Sequence, residues 1–131
     1  MTPNPHWIGA SQALSEARSL MREHGIRHLP VLREAKLVGV LSERDINLLH
    51  GVPGVRAETL PAEDAMTPAP FTATRDAPLV EVARTMATHK VGSAVVLEEG
   101  RVVGVFTTTD ALDALADALT RNPSMDRKRG S

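Results

Sequence analysis

The chain has 131 residues, 42% of them hydrophobic and 2% aromatic, with 15 basic residues against 16 acidic ones and a formal net charge of −1. That balance gives no electrostatic reason to expect nucleic acid or an acidic lipid surface as partner. Without cysteine there are no disulfides and no thiolate metal sites, and no apolar run approaches the roughly 18 to 20 residues of a spanning helix.

In chain order, Met1-Thr2-Pro3-Asn4-Pro5 reads as an extended lead into a short strand around Trp7-Ile8. Ser11 is a candidate N-cap for a helix whose apolar positions Leu14, Ala17 and Met21 recur at helical spacing. His24-Gly25 closes it, where a partly charged imidazole suits the dipole. Leu29 to Leu32 and Leu37 to Leu41 are short strands joined by a tight turn at Arg33-Glu34-Ala35. A second helix runs from Glu43 to about His50 and is broken by Gly51-Val52-Pro53-Gly54. Residues 51–65 form a connector with a helical turn at Pro61 to Ala65. The order then starts again: a lead at Met66-Thr67-Pro68-Ala69-Pro70, a strand at Thr72-Ala73, and a helix capped by Asp76 with Pro78 in its first turn. Leu79, Val82, Ala83 and Met86 form its apolar face and His89-Lys90 its end. Strands at Ala94 to Leu97 and Val102 to Phe106 follow, then a helix from Thr108 to about Leu119. The polar, basic tail 122–131 reads as disordered.

The recurrence is a tandem duplication. At a constant offset of 65 residues, Met1 falls on Met66, Leu14 on Leu79, Met21 on Met86, His24 on His89, Gly39 on Gly104 and Asp45 on Asp110, with no gap. Residues 1–50 are copy one and 66–121 copy two, each a β-α-β-β-α unit. A unit of this size buries only about 60% of its unfolded surface and is marginal alone. Two copies packed sheet to sheet would share a core and form two equivalent clefts at the join. Gly39 and Gly104, inside strands, read as points of close backbone approach.

Both copies end their last strand with a hydroxyl, two residues and an aspartate: Ser42-Glu43-Arg44-Asp45 and Thr107-Thr108-Thr109-Asp110. One reading is a capping box, for which aspartate is a poorer fit than glutamate. The other is a ligand site, since a helix N-terminus suits a phosphate and a carboxylate three residues on can accept both hydroxyls of a ribose. The doubling leans toward ribose. His6, His24, His28, His50 and His89 show no metal-ligand spacing, and no Ser-His-Asp set can be assembled. Neither a catalytic nor a metal site is therefore expected.

With the MTP leads, Ile26-Arg27-His28-Leu29-Pro30-Val31, the stretch Lys36 to Asp45 and the stretch Arg101 to Asp110, the chain resembles a tandem pair of CBS domains, a Bateman module. The resemblance covers residues 1 to about 120. It implies an α/β (α+β) fold in which two β-α-β-β-α units pack with pseudo-twofold symmetry around clefts for AMP, ADP, ATP or S-adenosylmethionine. Ribose and phosphate roles then fall on Asp45 with Ser42, and on Asp110 with Thr107 and Thr109. The base is expected among Thr72, Thr74, Val91, Ser93 and Ala94 in copy two, and Ile8, Ile26, His28 and Pro30 in copy one. Arg27, His28 and Arg44 supply phosphate chemistry to copy one, whereas copy two offers only Lys90 locally, unless facing clefts let one copy's cations serve the other's ligand. Trp7 stands where copy two has Thr72, either as a platform for a base or, slightly favoured, as a plug in the cleft. The resemblance further implies a flat homodimer, a regulated protein partner, an energy-sensing role and no catalysis. Together with the absence of a signal peptide, it points to a cytoplasmic protein. A scaffold dimer whose clefts have lost their ligand is the alternative.

Overall fold

The computed structural model describes residues 6–121. The readings for the first lead and for the tail 122–131 lie outside those residues. Copy one comprises β1 (Ile8–Gly9), α1 (Leu14–His24), β2 (His28–Arg33), β3 (Lys36–Ser42) and α2 (Glu43–His50). The connector carries two 3₁₀ turns, Ala57–Thr59 and Ala62–Asp64. Then come β4 (Thr67–Pro68), β5 (Thr72–Thr74), α3 (Leu79–His89), β6 (Ser93–Glu98), β7 (Arg101–Thr107) and α4 (Thr108–Arg121).

The duplication is visible bond by bond. β1 pairs parallel with β2 through Ile8↔Val31, and β5 pairs parallel with β6 through Ala73↔Val96. Each copy then forms an antiparallel hairpin whose register shifts at the same repeat position, between Val31 and Leu32 and between Val96 and Leu97. The hairpins turn on two residues of positive φ, Glu34 (50°) with Ala35 (65°) and Glu99 (52°) with Gly100 (78°). Such turns match the right-handed twist of the strands, and glycine occupies only one of these four positions.

Three local expectations change. α1 is capped at Ala13, not Ser11, and without a side-chain bond. The connector supplies the acceptor instead: Leu60 C=O takes the Leu14 amide at 2.8 Å, and Ala62 N–H donates to Gln12 C=O at 2.8 Å. α3 is capped at Pro78, not Asp76, because the chain turns earlier, with Ala77 N–H donating to Thr74 C=O. The lead of copy two, expected to run into its own unit, joins the sheet of copy one: β4 pairs with β3 through Gly39↔Pro68 and Val40↔Thr67. Gly39 is required there, since a Cβ would lie 2.4 Å from Met66 Sδ and 2.8 Å from Thr67 C=O.

The sheets are ordered β1-β2-β3-β4 and β5-β6-β7, and β2 packs on β7. The expected shared core resolves into two clusters. Ile8, Leu14, Ala17, Met21, Leu29, Val31, Leu41 and Ile46 fill copy one, and Val82, Met86, Ala94, Val96 and Phe106 fill copy two.

Candidate ligand-binding clefts

Each strand-to-helix corner is locked by its own side chains. Ser42 Oγ accepts the Asp45 amide at 3.0 Å, and Asp45 Oδ2 accepts the Ser42 amide at 3.0 Å. In copy two the Thr107 amide donates to Asp110 Oδ2 at 2.8 Å, Thr107 Oγ1 donates to the same oxygen at 3.2 Å, and the Asp110 amide donates to Thr107 Oγ1 at 3.3 Å. The capping reading is therefore realised in both copies, with aspartate in the place glutamate usually takes. These bonds also fix each half-buried carboxylate at the start of a helix, beside the amides of its first turn.

The turn of one copy faces the corner of the other. A cleft of about 490 Å³ brings Arg27 and His28 of copy one against Thr107, Thr109 and Asp110 of copy two, with Ile26 and Val105 as apolar wall. A second cleft, of about 550 Å³, holds Ser42 and Arg44 with Arg27, His28 and Gly92. Both lie in the size range of small-molecule sites. The two ion pairs between described residues, Arg33–Glu63 and Arg75–Glu98, involve neither Arg27 nor Arg44. Burial pushes the His28 pKa below its ordinary value of 6.5; Asp45 opposes this, Arg27 adds to it and Asp110 opposes it. One imidazole thus feels the carboxylates of both corners.

The residues expected around the base are placed differently. Ile8 and Ala94 are fully buried, Pro30 is almost so, and Ser93 is buried too. Ile8 and Ala94 belong to the two cores, Pro30 and Ser93 lie on the opposite, equally covered faces of β2 and β6, and none of the four lines either cleft. Val91 packs on the core of copy two. Thr72 is exposed on β5, and Thr74 lines a groove between α3 and α4. Trp7 neither lines nor fills the cleft beside Ser42. With Ile8 turned inward, the indole stands 52% exposed over a groove between the hairpin ends of the two copies. Sequence reasoning passed over Gly92, which lines both clefts. It also missed His6, which stacks on His24 with ring centroids 3.6 Å apart at the rim of the Asp110 cleft. The offset of 65 was the available signal for Gly92, since it stands where copy one has Arg27.

Among the described residues no group of three or more His, Asp or Glu could hold a metal ion, and no helix is long and apolar enough to cross a membrane. The CBS-domain family model matches residues 1–48 and 62–117. The chain belongs to the CBS-domain family. This CBS pair is 35% identical over 104 residues to inosine-5′-monophosphate dehydrogenase of Korarchaeum cryptofilum; the match takes in 79% of the chain but only 21% of that enzyme. Among solved structures it resembles the CBS domain pair of protein MJ0100 in complex with 5′-methylthioadenosine and S-adenosyl-L-methionine. That likeness has a TM-score of 0.76 and 28% identity, covering 88% of this chain and 91% of that one. It also resembles CBSX2 in complex with AMP, with a TM-score of 0.76 and 26% identity, covering 89% and 93% of the two chains.

Proposed function

We propose that this CBS pair is a non-catalytic regulatory module of the cytoplasm that binds an adenosine-containing ligand, AMP, ADP, ATP or S-adenosylmethionine, in its clefts. The observation that carries the reading is the meeting of a cap-locked Asp110 corner with Arg27 and His28 across one cleft. A carboxylate there accepts ribose hydroxyls, a guanidinium pairs with phosphate, and Ile26 with Val105 offers an apolar wall to the base. Ser42 and Arg44 line the other cleft, and Asp45, which is not in its lining, is held to the Ser42 amide. The adenosine ligands of the two solved relatives support this choice of ligand class.

Occupancy is read out, on this proposal, through the arrangement of a homodimer and a regulated partner, as in an energy sensor. A ligand that prefers one arrangement shifts the population toward it. A second copy is the proposed occupant of the α3–α4 face, where Leu79, Val80, Leu112 and Leu115 are exposed. Copy one has Ser15, Asn47 and His50 at the positions of Val80, Leu112 and Leu115, so the apolar choice is specific to the open face. The scaffold alternative loses its motive, because Trp7 does not plug the Ser42 cleft. Titration calorimetry with AMP tests the site. Binding should be lost in the Asp45→Ala/Asp110→Ala double variant, and unchanged affinity there would refute the assignment.

A further inference from the structure

The two clefts meet at one guanidinium and one imidazole. Arg27 and His28 line both, and the third residue common to both is Gly92. The repeat explains why a second pair is missing: Gly92 and Ser93 hold the places of Arg27 and His28. The backbone agrees. Arg27 C=O accepts the amide of Glu43, which opens α2, at 2.9 Å, and Gly92 C=O accepts that of Thr108, which opens α4, at 3.1 Å.

The Asp110 cleft accordingly has no cation from its own copy. Copy two gives it hydroxyls from Thr107, Thr108 and Thr109 and the Asp110 carboxylate, while Arg27 and His28 come from copy one. The Ser42 cleft adds Arg44, but Glu43 stands beside it with opposite charge. Building on the nucleotide reading above, we propose that Arg27 and His28 are one phosphate anchor shared by both clefts. A phosphate-bearing ligand in one cleft therefore weakens the binding of a second in the other, while neutral adenosine compounds fill the two independently. Two phosphates brought to a single guanidinium leave one underpaired and set like charges close together. Couplings of this kind amount to roughly 5- to 150-fold in affinity.

Titration calorimetry of the full chain with AMP and with neutral 5′-methylthioadenosine tests this. Two equivalents of each should bind, with the gap between first and second affinities at least about fivefold wider for AMP. Gly92→Arg should narrow the AMP gap by supplying the missing cation. A Cβ at this position meets only Thr108 Oγ1 at 3.9 Å and His28 Nε2 at 4.0 Å, and the φ is not positive, so a side chain fits. Gly92→Gln, of similar reach but uncharged, should leave the gap as it was. Equal AMP affinities in the parent chain would overturn the sharing and leave the nucleotide reading standing. Equal gaps for both ligands, one equivalent of each, or the same response from Gly92→Arg and Gly92→Gln would do likewise. Failure of both compounds to bind would overturn this inference, and failure of ADP, ATP and S-adenosylmethionine as well would remove the nucleotide reading with it.

Discussion

Leu14 and Leu79 hold the same place in the two copies, yet Leu14 is 1% exposed and Leu79 is 49% exposed. The difference comes from outside the repeat. The connector folds back over copy one, bonding to Ala10, Gln12 and Leu14 and adding Leu60 and Ala62 to that core. No described segment does the same for copy two, and no residue of α4 is fully buried, although Ala111 packs against that core. A duplicated sequence therefore specifies the same helix twice, while a third segment decides whether its apolar face belongs to the core or to a docking surface. Copy one is the better-covered half, and copy two leaves open the apolar face on which a second copy is proposed to dock.

That contrast can be broken most strongly at Leu29. This fully buried leucine has Ala94, equally buried, as its counterpart. Leu29→Ala gives copy one the residue of copy two in a space shaped for leucine, and should cost about 2–5 kcal/mol, read as a lowered urea midpoint. A loss below about 1 kcal/mol would mean that copy one is no better packed than copy two. The turns sharpen the comparison with a smaller effect of opposite sign. Ala35 has a φ of 65° where copy two has Gly100, so Ala35→Gly should stabilise by about 1 kcal/mol in the same assay. A neutral result would show that the turn carries no strain.

The smallest effect belongs to His28, whose copy-two counterpart, Ser93, does not titrate. Because burial lowers its pKa in the fold, the unfolded chain takes up its proton first as pH falls through about 6.5. Stability should then decline below that pH until the native imidazole is protonated in turn. Arg27 reinforces this behaviour, and Asp45 and Asp110 oppose it. His28→Gln should flatten that part of the stability profile, and an identical pH dependence would show that another group carries it.

Much of this was legible in the residues. The offset of 65 gave both hairpins, all four helices and the two hydroxyl-to-aspartate corners, because each depends on local pattern. What it left out depends on contacts between distant segments. The start of α1 is set by Leu60 in place of Ser11, and β4 belongs to the sheet of the other copy. The site was legible one copy at a time, as Asp110 with Thr107 and as Arg27 with His28. That these face each other across a single cleft follows from the packing of β2 on β7, which periodicity does not encode.

The central claim, that these clefts take an adenosine ligand, is tested most directly by thermal melting of the parent chain with AMP, ADP, ATP, S-adenosylmethionine and 5′-methylthioadenosine in excess. A ligand at about 100 times its Kd stabilises by roughly 2.7 kcal/mol, a Tm rise of roughly 10 °C at this chain length. The account predicts such a rise for at least one of them and its loss in the Asp45→Ala/Asp110→Ala variant. An unchanged Tm with all five would contradict it.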